Sequence, residues 1–184
     1  DIASSGAGSV FAGGGVWVGG HAGVAGGAAE VVINPDGRIE SVGNHDIYPD
    51  GATRLHGGEL RANQLQFRDG VGIFDWTSGI VRLTGHAESN ATSPIGQYRD
   101  LGSNQELHAS FLHVEETGVA YVDATGGRIE VEDALYGPSP GKRGETYISA
   151  GGVLDVDRAI AIGGSLATNG GEGEIRLIDG TLTA

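Results

Sequence analysis

The segment GGVLDVDRAIAIGG at 151–164 alternates apolar and polar side chains between two glycine pairs, and a looser version, GGELRANQLQFRDG, stands at 57–70. Strict alternation describes a strand with one face buried, because successive side chains of a pleated chain point to opposite sides. The first segment offers Leu154, Val156, Ile160 and Ile162 to the inside, with Asp155, Asp157 and Arg158 facing water. The odd spacing between Val156 and Ile160 predicts a small bend at 157–159. The second offers Leu60, Ala62, Leu65 and Phe67. Further copies are GGRIEVEDALYG at 126–137, with Ile129, Val131 and Leu135 inward, and PDGRIESVGN at 35–44, with Ile39 inward.

A companion phrase accompanies the first: SGIVRLTG at 78–85 and GEIRLIDGTLTA at 173–184. Comparable glycines recur every 21 to 28 residues or so, which is shorter than a propeller blade of about 40 and favours a solenoid. One coil of short strands cannot bury its apolar face alone, but copies stacked about 4.8 Å apart join into a continuous core. Glycines at the corners, together with the turns NPDG at 34–37 and YPDG at 48–51, let the coil change direction. The repeat blurs over 86–118, where a lateral loop or an irregular coil is expected. SNQELHASFLHVEET at 103–117 is the one stretch with modest helical character, but it is short and flanked by glycine. Residues 1–30 are rich in glycine and alanine and read as an arm or a degenerate first coil, with 31–184 as the solenoid proper.

Composition narrows the functions. The formal net charge is −13, with one lysine, Lys142, and ten arginines scattered singly along the chain, so nucleic acid is not an expected partner, since phosphate binding needs clustered cations. No apolar run approaches the roughly 20 residues that cross a bilayer as a helix, and membrane insertion is not expected. The chain has no cysteine, and therefore no disulfide framework, thiolate nucleophile or cysteine-bound zinc. It also has no methionine and begins DIASSGAGS, which reads as the small, polar start left by a signal-peptide cut, or as a trimmed product.

The phrases GGVLDVDRAIAIGGSLATNGGEGEIRLIDGTLTA at 151–184 resemble the glycine-rich strand repeats of autotransporter-type passenger domains and of large secreted proteins that carry a PEP-CTERM sorting tag. The likeness is fair over 57–85 and 126–137 and poor elsewhere, and neither a C-terminal barrel nor a sorting tag is recognisable. The resemblance implies a right-handed parallel β-helix outside the cell, with a structural or adhesive role. The expected fold is all-β: a single-stranded, right-handed parallel β-helix or β-solenoid with irregular coil corners.

Candidate chemistry is sparse. Glu130 with Glu132, and Asp155 with Asp157, project from one outer face if both segments are strands, and stacking would bring them into a column. Such a column suits Ca²⁺, which takes oxygen ligands, or an acid–base pair, or simply a solvated face that keeps the sheet soluble. The nonapeptide calcium repeat is not met, because Leu154 stands where its second-phase glycine belongs. His45, Asp46 and Asp50 meet in GNHDIYPDG as a metal-binding or merely polar corner, while His108 and His113, five apart, are expected on opposite faces. No HExxH, GxSxG or phosphate-binding glycine loop occurs. Tyr48, Tyr98, Tyr121, Tyr136 and Trp76 are candidates for stacking on sugar rings or for packing.

The sequence therefore predicts a non-enzymatic, secreted or cell-surface structural protein that self-associates, with no obligatory cofactor. Assembly is expected through open coil ends or strand addition, carried by Val10, Phe11, Val16, Trp17 and Val18 of SVFAGGGVWVGG and by Leu182. The alternatives are a solenoid that binds or cleaves extracellular polysaccharide, and a calcium-dependent adhesin repeat.

Overall fold

The repeated phrases lie directly over one another. Ile39 stands in register with Leu60, and Leu60 with Val81, so that three coils place an apolar side chain in one inward column. Leu107, Ile129, Leu154 and Leu182 form a second such column. The structure is a computed structural model describing residues 2–4, 8–21, 24–164 and 170–184. Among these every regular element is a β-strand, and the fold is an all-β solenoid of stacked parallel coils. It divides into two units, 1–84 and 85–184.

In the first unit the strands are β1 (Ile2–Ser4), β2 (Ser9–Ala12), β3 (Val16–Val18), β4 (Gly20–His21), β5 (Val24–Ala25) and β6 (Ala29–Ile33). They continue as β7 (Arg38–Ser41), β8 (His45–Ile47), β9 (Gly51–Ala62), β10 (Leu65–Phe67) and β11 (Ile73–Ser89), the last leaving the unit after Thr84. β9 is long enough to turn a corner at its middle, so its first half pairs with β6 and its second with β7, and β11 pairs along both halves. A further parallel stack is β3–β8–β10. Among the described strand pairs of this unit only the short β4–β5 pair is antiparallel. The glycine-rich segment 9–18 is in register as a coil, Val10 on Ile39 and Val18 on Ile47.

In the second unit the strands are β12 (Tyr98–Gly102), β13 (Gln105–Val114), β14 (Ala120–Thr125), β15 (Arg128–Tyr136), β16 (Arg143–Ser149), β17 (Val153–Ile162), β18 (Glu172–Leu177) and β19 (Thr181–Thr183). Two parallel stacks result, β12–β14–β16–β18 and β13–β15–β17–β19. Leu107, Leu112, Ile129 and Leu154 are fully buried. Each such side chain contributes about 1.5–3 kcal/mol of burial free energy. The stretch 103–117 is mostly strand, not helix: its apolar residues Leu107, Leu112 and Val114 point inward because the neighbouring ladder fixes their phase.

Of two expectations about strand phase, one holds and one changes. Asp157 and Arg158 form a bulge opposite Glu132, where the odd spacing predicted a bend. In β15, however, the inward residues beyond Val131 are Ala134 and Tyr136, both fully buried, rather than Leu135. The strand shifts phase at its corner without a glycine or proline to mark it.

Candidate functional site

The outer face of β12–β14–β16–β18 concentrates the chemistry that the described residues offer. Register sets two columns on it: Tyr98, Tyr121, Glu145 and Glu174 in one, Asp100, Asp123, Tyr147 and Arg176 in the other. The rings of Tyr98 and Tyr121 lie 5.0 Å apart, tilted by 39°. The guanidinium of Arg176 sits over Tyr147, 5.1 Å from its centroid. Tyr147 donates its hydroxyl to Glu145 (3.2 Å) and its backbone N–H to Asp123 Oδ1 (2.8 Å). Arg143 pairs with Glu145 and lies 4.0 Å from Glu174.

Asp123 is the unusual member. Burial pushes its carboxyl up to about 6, the negative charges of Asp100 and Glu145 push the same way, and the Tyr147 N–H opposes them. The face thus holds one carboxyl whose pKa is raised into the mildly acidic range. A raised folded pKa means that the native state keeps a proton which the unfolded chain releases between about pH 4 and 6. Stability is therefore lower above pH 6 and recovers as pH falls through that window. Asp123→Asn keeps the acceptor for Tyr147 and removes the charge. It is expected to raise Tm by a few degrees at pH 8 and by nothing at pH 4, as read by calorimetry.

The acidic pairs singled out in the sequence lie on the other stack. Glu130 and Asp155 are register partners, and Arg128 donates to both, at 3.2 and 2.9 Å. His108 lies 3.1 Å from Glu106 and 3.5 Å from Glu130. The bulge takes Asp157 out of register with Glu132, which instead lies 3.7 Å from Arg158 and accepts from Ser110 at 3.4 Å. Among the described residues no three histidine or carboxylate side chains stand close enough to hold a metal ion together.

The other sequence candidates scatter. His45 is a fully buried core residue, Asp46 pairs with Arg68 at 3.2 Å, and Asp50 is exposed in a turn. His108 and His113 do not face opposite ways. β13 shifts phase at 110–111, and both rings lie on the outer side. His113 meets the edge of His86 at 5.1 Å, and His86 stacks on Phe111 at 4.9 Å. Tyr48, Tyr136 and Trp76 are buried and serve packing, so only Tyr98 and Tyr121 of the five aromatic candidates reach a surface. Of the residues expected to carry assembly, Phe11 and Trp17 are 68% and 45% exposed, Val18 is buried, Val10 and Val16 are half-buried, and Leu182 is 38% exposed.

Sequence reasoning missed Asp100, Asp123 and Glu145. A signal was present: Y-x-D recurs at 98–100 and 121–123, one coil apart. Comparison with known protein families, curated proteins and solved structures gives no match for this chain. Its functional reading rests on its own residues.

Proposed function

We propose that this chain is a structural solenoid subunit of an extracellular surface or filamentous assembly, built by adding coils end to end. The observation that carries this reading is the rung formed by β18 and β19. Leu177 stands in register with the buried Ile148, Leu182 with the buried Leu154, and both point inward as their partners do. Yet Leu177 is 54% and Leu182 38% exposed, and Ile162, in register with the buried Tyr136, is 52% exposed. The apolar column therefore runs out to solvent, and β19 pairs on one side only among the described residues. A further coil laid on this rung would bury these side chains and satisfy the unpaired backbone groups of its strands. The resemblance of 151–184 to secreted strand repeats supports a place outside the cell.

The partner coil in this reading comes from a second copy, with the 9–18 coil and its exposed Trp17 as the surface that meets the rung. Sedimentation and electron microscopy over increasing concentration are expected to show oligomers lengthening into filaments. Leu177→Lys with Leu182→Lys, which places two like charges where a stacked coil would bury them, is expected to leave monomers with unchanged far-ultraviolet circular dichroism. Monomers of the unaltered chain at every concentration would overturn the reading.

A further inference from the structure

Ten arginines are spread along this acidic chain, and three of them meet on one outer face of the first unit. Register stacks Phe11, Glu40, Arg61 and Arg82 in one column, with Arg38 and Glu59 in the next. Glu59 gathers the arginines. Arg61 and Arg82 each donate Nε to its Oε1, at 2.8 and 3.1 Å, and Arg38 approaches Oε2 at 3.5 Å. Burial alone would raise the Glu59 carboxyl, but these bonds hold it below the usual carboxylate range. Glu40 is engaged by Arg38. Three positive and two negative groups leave this face with an excess of one positive charge, against the sign of the whole chain.

The arrangement is more than a salt ladder. Arg61 and Arg82 are like charges on adjacent rungs, and Glu59 offsets their repulsion from the Nε side. Glu59 uses only their Nε groups, so among the described residues the terminal amino groups of both keep no protein partner. Both side chains line a pocket of about 260 Å³, with Val42 and Thr84 beside them. Val42 is 64% exposed. Next to the pocket runs a line of neutral polar groups: Thr84 donates to Asn63 (3.4 Å), Asn63 to Asn44 (3.1 Å) and Asn44 to Gln66 (3.3 Å). Phe11, 68% exposed, stands in the same column as the two arginines.

We infer that this face binds a carboxylate-bearing polysaccharide, with the carboxylate of one sugar held by the terminal guanidinium nitrogens of Arg61 and Arg82. The planar fork of arginine matches a carboxylate and gives charge-assisted bonds. Val42 offers an apolar surface to the ring, and the amide line answers its hydroxyl groups. Phe11, two rungs from Arg61 and three from Arg82, so about 10 to 14 Å along the column at one rung per 4.8 Å, stacks on a sugar further along the same chain. An acidic polypeptide would satisfy the arginines equally but has no use for the amide line or the ring platform, so a sugar polymer is the better fit.

The test is titration calorimetry with alginate, in a chelator to remove divalent cations, against alginate whose carboxylates are esterified, against poly-L-glutamate, and against free glucuronate. Alginate is expected to bind, with affinity falling as salt is raised. Esterification, and Arg61→Gln with Arg82→Gln, are each expected to weaken binding by about tenfold or more, the loss of charged hydrogen bonds. Arg61→Lys with Arg82→Lys keeps the charge and loses the fork, and is expected to bind between the two. Phe11→Ala should weaken alginate while leaving glucuronate unchanged. The inference is overturned if unmodified alginate does not bind, if the esterified polymer or poly-L-glutamate binds as well, or if the arginine variants, folded by circular dichroism, bind as the parent does.

Discussion

Gly144→Ala is expected to destabilise the second unit by roughly 4 kcal/mol, among the larger effects a single substitution produces. Tm should fall by about 10 °C or more. Gly144 faces inward in a column with Ala120 and Gly173, at the corner where strand β13 ends and the chain crosses to the other stack. There the carbonyl of Val114 accepts the N–H of Gly137 at 2.9 Å. A Cβ on residue 144 would lie 1.8 Å from that oxygen and 2.7 Å from the Gly137 nitrogen. Both atoms are backbone and belong to a hydrogen bond, so neither can swing aside as a side-chain tip would. The coil must open or the bond must break. Gly118→Ala is the matching control, since a Cβ there meets nothing within 4 Å and its φ is not left-handed. Thermal unfolding of the two variants by circular dichroism separates a corner glycine from one that merely enriches the composition. Equal Tm values would mean that the coils are not packed against each other as closely as this corner requires.

That contrast shows how far the sequence could be read. Alternation between glycine pairs, recurring at coil length, is sufficient to place Ile39, Leu60, Ile129, Leu154 and Val156 in the core and to locate the bulge in β17, because a pleated strand with one buried face has a fixed period of two. The period fails at corners. β13 and β15 change phase in mid-strand with ordinary residues, so His113 and Leu135 fall on faces that counting by two does not give. Nor can alternation tell how exposed an inward residue is. Ile160 and Ile162 have the register of the core, and Ile162 is half-exposed because its cover depends on what is stacked above it. The polar faces were the least legible part. Asp123 owes its raised pKa first to burial and then to charges one coil away in either direction, and Arg61 meets Arg82 across 21 positions of chain. Residues 165–169, part of the phrase that resembles secreted repeats, lie outside the described residues.

His45 is expected to make the first unit acid-sensitive. The residue stands between Val16 and Leu65 in an inward column, with no exposed surface. Its Nε2 lies 2.8 Å from the Thr53 hydroxyl, and its Nδ1 has no hydrogen-bond partner. Burial lowers its pKa from 6.5 to about 4. As pH falls below 6.5 the unfolded chain takes up a proton that the folded chain refuses until about pH 4, so stability is lost across that interval. At about 1.4 kcal/mol per pH unit, the loss attributable to this ring reaches roughly 3 kcal/mol by pH 4. Asp123 works in the opposite sense over part of the same range, so the net profile of the unaltered chain does not isolate the effect. His45→Gln does, since it retains a group able to bond Thr53 and cannot titrate. Denaturant unfolding of the two chains at pH 7 and pH 4.5 should show their stability difference shifting in favour of the glutamine variant by most of that amount. A difference that stays constant with pH would place the imidazole in contact with water rather than in the core.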